Sequence, residues 1–395
     1  MTRYLIRQSV LSLVKLFIFA TLMFFFIQLL MPGDWVDQFS LFLDSGEREE
    51  MRVQLGLDLP VWERYLLWLR QLVTLDLGYS FTGPPIVDVL KDVIPPTLFV
   101  FVTGTTIAFL IGLWLGKRTA WQGSSFLSSL TTLGGITLFT SFPPWLAYLL
   151  AYFLAGGRDF VVMGERGGLR SATFRYLDRE LWMDIEVSPS VIVLQMFLTL
   201  VAVTAILLIL NYLLDRAVGR RAPALIVLLL IAAGTIGSWY LLGIEPLALD
   251  ILRLSWLPIL TYTLLSFGET MLIMQSSMTE VLKEEYINTA HAKGLSPSVV
   301  REKHAARNAL LPALSRLVIS MPYLITGVVI IESAVGWPGM GTAMWNALYW
   351  QNMPLVMAVV LIVGVLSLVA RLVLDVVIAY SDPRIRYDQK QPSAA

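Results

Sequence analysis

Long apolar runs alternate with polar segments along nearly the whole chain. Eight of these runs reach about the twenty residues that a helix needs to cross roughly 30 Å of hydrocarbon. They cover residues 10–31, 95–116, 127–155, 191–214, 224–244, 256–278, 313–333 and 354–380. The pattern therefore predicts an all-α polytopic membrane protein with about eight transmembrane helices.

The first apolar run has a rival interpretation as a signal peptide, because Arg3, Arg7 and Lys15 precede or open it. Its apolar core is long for a signal peptide, and no small-residue cleavage site follows it. We therefore expect an uncleaved first span.

The third run contains helix breakers at Gly134, Gly135, Pro143 and Pro144, with Trp145 directly after them. Breakers inside a span free backbone groups that need partners at that depth. This predicts either a kink or backbone that faces a cavity, which makes Pro143 and Trp145 candidates for a substrate pathway.

Lysine and arginine residues orient the predicted spans, since they accumulate on the cytoplasmic side. A cytoplasmic N-terminus places Lys117, Arg118, the arginines of 216–221, the interval 280–312 and the tail 382–395 on one side. Eight spans return the C-terminus to that side. The opposite side receives the acid-rich segment 32–94 and a predicted loop at 336–350 without Lys or Arg, while 156–189, with five arginines, is the exception.

Composition narrows the function classes. Hydrophobic residues make up 56% and charged residues 15% of the chain, and the net charge is zero, so no basic field is available for nucleic acid. The absence of cysteine excludes disulfides, thiolate metal sites and a cysteine nucleophile.

The stretch from Gly112 to Thr119 lacks the spacing of a phosphate-binding loop, and His291 and His304 form no zinc motif. We expect no catalytic residue, cofactor or metal site in this chain.

Two acidic residues lie within predicted spans, Glu269 and Glu332. A charge in hydrocarbon is costly and needs a cavity or a partner. Either residue could line a substrate path, act as a proton site in an ion-coupled carrier, or hydrogen-bond neighbouring helices.

The polar interval 280–312 stands out between two apolar runs. Residues 284–293 favour a short helix, with Tyr286, Ile287 and Ala290 on one face and Gly294 as its stop. Small residues at Ala290 and Ala292 are expected to be exposed, so that another protein can approach. The alternative is a helix resting on lipid headgroups, for which the apolar face is small.

A second helix is predicted to restart at Ser296, as N-cap, and Pro297, at the first helical position. Val300, His304, Arg307 and Leu311 are expected to share one face of this helix. The helix is expected to end before Pro312.

The sequence of this interval, from Glu285 through Gly294 to Pro312, resembles the EAA loop of ABC importer permeases in the dipeptide/oligopeptide branch. Further stretches at 1–7, 55–60 with 76–81, 332–341 and 382–387 are similar to that branch in the same order. The resemblance covers both ends and most of the chain outside 156–250.

The resemblance implies a six-helix permease core, a cytoplasmic coupling loop at 280–312 and an insertion at 156–250 that carries two additional spans. It implies a second homologous permease, two cytoplasmic ATPase subunits that hold ATP and magnesium, an extracytoplasmic solute-binding protein and the lipid bilayer as partners. The implied ATPase-coupling residues are Glu285, Tyr286, Thr289, Ala290, Ala292, Lys293, Gly294, His304 and Arg307. The implied cargo is a di- or oligopeptide, with a metal chelate or an oligosaccharide as the alternative. The resemblance and the apolar runs together divide the chain into six segments. These are 1–31 with the first span, 32–94 outside the membrane, 95–155 with two spans, the insertion 156–250, the permease core 251–381 and the cytoplasmic tail 382–395.

Overall fold

A computed structural model describes residues 2–30, 35–39, 42–74, 76–81, 83–123, 125–154, 182, 187–219 and 222–381. These residues are almost entirely helical. The helices are α1 (Thr2–Leu30), α2 (Ser45–Gln54), α3 (Val61–Thr74), α4 (Ile86–Gln122), α5 (Phe126–Phe139), α6 (Pro143–Leu154), α7 (Pro189–Val218), α8 (Ala224–Leu241), α9 (Glu245–Val281), α10 (Glu285–Ala292), α11 (Pro297–Val299), α12 (Ala306–Val335), α13 (Met340–Tyr349) and α14 (Met353–Ser381). A 3₁₀-helix spans Trp35–Phe39, and a π-helical segment, Val300–Ala305, joins α11 to α12.

Four helices among the described residues are long and apolar enough to cross a membrane: α4, α7, α9 and α14. Two bent pairs raise the number to six if each pair is one span. Shorter apolar stretches lie in α1 and α8. All eight predicted apolar runs thus overlap a helix, while the count of eight spans and the side on which the termini lie stay predictions.

The break predicted in the third run is confirmed. Helices α5 and α6 meet at an angle of 107° around residues 140–142. A side chain satisfies part of the freed backbone, since Ser141 Oγ donates to the Thr137 carbonyl at 2.6 Å.

The predicted loop at 336–350 is wrong. Residues Met340–Tyr349 form α13, which bends back by 69° from the end of α12. Met340 and Ala347 are buried against α4 and α14. The stretch is therefore an apolar helix with one face on the protein, while Trp345 and Tyr349 are exposed. In the turn before it, Trp337 is fully buried and its Nε1 donates to the Pro96 carbonyl at 3.2 Å.

Helices α4 and α9 are the central pair, and both are longer than the apolar runs within them. Pro95, Pro96 and Pro258 lie inside these helices and do not end them. Glycine residues allow the backbones of α4 and α9 to approach each other closely. A Cβ atom added to Gly112 would lie 2.6 Å from Thr270 Cβ and 2.7 Å from the Phe267 carbonyl oxygen. Small residues on one helix face let two backbones pack tightly where the hydrophobic effect gives little drive.

The predicted additional hairpin is α7 with α8, and it packs on the central pair. Ile192, Val193 and Met196 of α7 are buried in the same cluster as Phe99 and Val100 of α4. The hairpin is tied internally by a 2.9 Å hydrogen bond from Trp239 Nε1 to Thr199 Oγ1. Most of the preceding segment, 156–189, and the tail, 382–395, lie outside the described residues.

Candidate transport pathway and coupling segment

Helix α10 is the short helix predicted in the polar interval. It starts after Glu284 and its last residue is Ala292. Gly294 follows with a φ of +74°, a left-handed conformation that favours glycine, and its N–H donates to the His291 carbonyl at 2.9 Å. The predicted stop at Gly294 is confirmed.

The two faces of α10 differ in what they contact. Ile287 is 2% exposed and Ala290 is 5% exposed, because both pack into a cluster with Met274 and Met278 of α9. The expectation that Ala290 is exposed is therefore wrong, since the apolar face of so short a helix is used to hold it on the protein. The exposed residues are Glu285, Asn288, Thr289, His291, Ala292 and Lys293, with Tyr286 38% exposed. A polar outer face of this kind suits a protein partner better than lipid.

The second helix begins as predicted but does not end as predicted. Ser296 occupies the N-cap position and Pro297 the first helical position, although the Ser296 hydroxyl pairs with the Ser298 hydroxyl at 3.1 Å. The chain then passes through the π-helical segment and continues through Pro312 to Val335. Proline is tolerated inside membrane helices when neighbouring groups satisfy the freed carbonyl.

The expected common side of that second helix is also wrong. Val300 is buried, His304 is half-buried and Arg307 is exposed. A π turn holds more residues than an α turn, so the spacing of 3.6 no longer predicts which residues share a face.

Side-chain contacts tie this segment to the rest of the protein. Asn308 Nδ2 of α12 donates to the Tyr286 hydroxyl of α10 at 2.7 Å. Glu302 binds Lys117 Nζ of α4 at 2.7 Å and Arg301 Nε at 2.9 Å. Desolvation by partial burial raises the pKa of Glu302, but its contacts with Lys117 and Arg301 outweigh this and lower the pKa below its ordinary value.

Asn308, Glu302 and Lys117 are contacts that sequence reasoning missed. The signal for the ion pair was a lysine at the end of one run and a glutamate in a later polar interval, 280–312, which was predicted on the same side. Nothing in the sequence pointed to the Asn308 contact, since it depends on how α10 folds back.

A cavity of about 390 Å³ lies between the α5–α6 break, α9 and α12. Its polar lining residues are Ser141, Tyr262, Ser266, Glu269, Arg316, Ser320 and Tyr323, and its apolar ones include Phe139 and Pro143. The break places Ser141 and Pro143 at the wall, in line with the expectation of backbone that faces a cavity.

An ion pair lies at one end of this cavity. Glu269 Oε1 accepts hydrogen bonds from Arg316 Nε at 2.7 Å and from Ser320 Oγ at 2.9 Å. The Glu269 side chain is 18% exposed and the Arg316 side chain 53%. Pairing with an opposite charge reduces the cost of placing either group in a membrane helix. Arg316 was missed from sequence, although two predicted spans carrying opposite charges were a usable signal.

The remaining candidates lie elsewhere. Trp145 is 56% exposed and does not line this cavity. Glu332 is fully buried, and its Oε2 accepts from Thr97 Oγ1 at 3.0 Å and from the Gly341 N–H at 2.9 Å. Thr97 Oγ1 also accepts from the Met340 N–H at 2.8 Å. For Glu332 this geometry favours the hydrogen-bonding interpretation, because the carboxylate joins α4, α12 and α13.

Within the part of the chain that the structure describes, no three His, Cys, Asp or Glu side chains come together as metal ligands would.

Residues 220–387 match the sequence model of the binding-protein-dependent transport system inner membrane component family. Over these residues the chain is similar to this family. It is a multi-pass inner-membrane protein, in keeping with its apolar helices.

Three similar proteins extend the comparison over nearly the full length. A protein of Brucella suis named as a peptide permease is 28% identical over 98% of this chain and 99% of its own. The dipeptide transport system permease protein of Alkalihalophilus pseudofirmus is 27% identical over 86% of this chain and 85% of its own. The oligopeptide transport system permease protein of Bacillus subtilis is 25% identical over 98% of this chain and 100% of its own.

Proposed function

We propose that this chain is the non-catalytic permease subunit of an ATP-driven importer of di- or oligopeptides. The observation that carries the proposal is α10: a short helix held on the protein by its apolar face, with a polar face outward, between two long membrane helices. The names of the similar proteins support peptides as cargo. Neither a metal chelate nor an oligosaccharide is favoured by any of these names.

The partners follow from that role. A second homologous permease completes the pathway, two cytoplasmic ATPase subunits bind ATP and magnesium, and an extracytoplasmic binding protein delivers the solute. The exposed residues of α10, together with Tyr286, Gly294 and Arg307, form the surface that docks on an ATPase. Ala290 supports this surface from beneath, because it is buried.

The mechanism is alternating access driven from α10. Closure of the ATPase dimer displaces α10, and the displacement reaches the membrane through helices attached on both sides. On one side Ile287 and Ala290 pack against α9. On the other side a short turn at 293–296 leads into an unbroken helical path from Pro297 to Val335, which transmits the movement into the membrane.

The cavity beside Glu269 and Arg316 is the proposed solute pathway, with Pro143 in its wall. An ion-coupled carrier is the less favoured alternative. A proton site needs a carboxylate that changes its protonation during transport, whereas Glu269 is held by Arg316 and Ser320 and Glu332 is enclosed.

Reconstitution tests the function. The chain, its partner permease, the ATPase subunits and the binding protein are placed together in proteoliposomes, and uptake of a radiolabelled dipeptide is measured. Uptake is expected to require ATP and to be unaffected by a proton uncoupler. Uptake that persists without the ATPase subunits and collapses with the uncoupler would contradict the proposal.

We also propose eight spans with both termini in the cytoplasm. The chain contains no cysteine, so single cysteines can be introduced without a background signal. Cysteines placed at Asn288 and Gly83 are expected to react with a membrane-impermeant maleimide from opposite sides. Labelling of both from the same side would contradict this topology.

A further inference from the structure

Arg316 and Glu269 each use only part of their hydrogen-bonding capacity on one another. Arg316 bonds through Nε alone, and Glu269 accepts both of its hydrogen bonds on Oε1. Among the described residues, Arg316 Nη1 and Nη2 and Glu269 Oε2 have no hydrogen-bond partner. A guanidinium offers five N–H donors in a planar fork that matches a carboxylate bidentately.

Both residues line the cavity of about 390 Å³, and the Arg316 side chain is half-exposed. A volume of this size lies within the range that holds small ligands. We propose that the cavity binds a short peptide with free termini, its carboxylate on Arg316 Nη1 and Nη2 and its ammonium group on Glu269 Oε2. The inference rests on the proposed peptide transport and names the chemistry by which the pathway recognises its cargo.

Charge balance supports a peptide with two free termini. The lining of the cavity carries one cation and one anion. A ligand with a single charge would leave an excess charge at this depth, which is costly, whereas a zwitterion adds one charge of each sign beside its opposite. The ion pair stays intact, since Arg316 Nε and Glu269 Oε1 keep their bond while their outer edges bind the ligand.

The rest of the lining fits variable side chains between the two termini. Phe139 and Tyr323 present aromatic rings, and Ser141, Ser266 and Ser320 present hydroxyl groups. Aromatic walls give contact area without requiring one side-chain shape. The site therefore discriminates by the charged termini and tolerates different residues.

The test measures binding to the permease itself, because the solute-binding protein would add its own selectivity. The assembled transporter, without the solute-binding protein and without ATP, is placed in nanodiscs and labelled by a diazirine-bearing dipeptide. Unlabelled alanylalanine, its C-terminal amide and its N-acetyl derivative compete with the labelling. For the wild type we expect the amide and the acetyl derivative to compete about tenfold more weakly than alanylalanine, because each lacks a charged partner.

Two substitutions test separately how the carboxylate and the ammonium group of the peptide are recognised. In Arg316→Gln the amide is expected to compete as well as alanylalanine, while in Glu269→Gln the acetyl derivative is expected to do so. Arg316→Lys keeps the charge without the fork and should retain only part of the discrimination. Arg253→Gln, which removes an α9 cation that binds Asp250 outside the cavity, is the matched control and should behave as the wild type.

Loss of folding is guarded against by the double variant Glu269→Gln with Arg316→Gln, which removes both charges together and leaves neither unpaired. Its assembly is checked by size-exclusion chromatography, and it is expected to show no discrimination of either terminus. Unchanged discrimination in this variant or in Arg316→Gln, or no labelling of the wild type, would overturn the site. Absence of ATP-driven dipeptide uptake by the wild-type complex would instead overturn the proposed function.

Discussion

Asn308 donates a 2.7 Å hydrogen bond to the hydroxyl of Tyr286, twenty-two residues earlier in the chain. It joins α10, which has a polar outer face, directly to the first turn of α12. The link from α10 to the membrane therefore does not depend only on the backbone through Gly294 and Ser296.

The first prediction concerns this bond. Tyr286→Phe removes the hydroxyl and keeps the ring, so α10 should stay folded but follow α12 less closely. An exposed hydrogen bond contributes about 1 kcal/mol, which corresponds to up to about a fivefold change in a two-state population. We expect fewer peptides transported per ATP hydrolysed, by up to about that factor, measured in proteoliposomes. Tyr240→Phe removes an exposed hydroxyl from α8 and is the control. Equal coupling in Tyr286→Phe and the wild type would contradict the prediction.

The second prediction concerns the turn after α10. Gly294→Val places a β-branched residue at a φ of +74°, at a cost of about 1–2 kcal/mol or more, although no atom lies within 4 Å of the new Cβ. The direction of the chain after α10 should change while the protein still inserts. We expect ATP hydrolysis to continue and transport to be lost.

The matched control for that turn is Gly237→Ala, at a helical glycine of α8 that also has open space around it. It should transport as the wild type does. Normal uptake in Gly294→Val, with a normal amount of protein in the membrane, would remove the argument that this turn directs α10.

The third prediction is a pH dependence at the contact between α4 and the π-helical segment Val300–Ala305. Lys117 and Arg301 hold the pKa of Glu302 below its ordinary value of 4.5. A depressed pKa in the folded state means that the group stabilises the fold above 4.5 and that this contribution is lost as the pH falls through the folded-state pKa. Glu302→Gln should lower the thermal unfolding temperature at pH 7, and the difference from the wild type should vanish well below pH 4.5.

Thermal unfolding of the detergent-solubilised chain at a series of pH values measures this difference. Glu280→Gln, in the last turn of α9 without an observed ion pair among the described residues, is the control. A difference between Glu302→Gln and the wild type that stays constant down to the lowest pH would show that Glu302 does not act through its charge.

The fourth prediction concerns the central pair of helices. Gly112→Ala places a methyl group 2.6 Å from Thr270 Cβ and 2.7 Å from the Phe267 carbonyl oxygen, so α4 and α9 must move apart. Overpacking of this kind costs about 1–3 kcal/mol. We expect a lower unfolding temperature in detergent, measured by fluorescence-detected size-exclusion chromatography. Gly134→Ala, in α5 with no atom within 4 Å of the new Cβ, should unfold at the wild-type temperature or above it. Equal stability of the two variants would contradict close packing at Gly112.

The sequence predicted those features that depend on residues close together in the chain. The apolar runs, the break at Pro143 and the stop at Gly294 are of this kind, since each follows from length or from backbone preference. Helix ends were less predictable. Helix α4 begins at Ile86 and runs through Pro95 and Pro96, because packing can satisfy backbone groups that a proline frees.

Features that depend on distant contacts were not predictable. Burial of Ala290 requires α10 to fold onto α9, and the ion pair of Arg316 with Glu269 requires two helices to align at one depth. Apolar character alone could not separate a loop outside the membrane from the bent helix α13. Glu332 shows the same limit, since its enclosure by Thr97 and Gly341 joins three helices distant in sequence.

The π-helical segment Val300–Ala305 lies in the chain between α10 and the part of α12 that lines the cavity. Each residue of an α-helix advances the chain by about 100° around the axis, and a π turn takes in one residue more than an α turn. The number of residues in this segment therefore fixes the rotational phase of α12 relative to α10. Because α12 carries Arg316 to Glu269, we expect a one-residue deletion or insertion here to rotate α12 by about 100° relative to α10 and to weaken that contact.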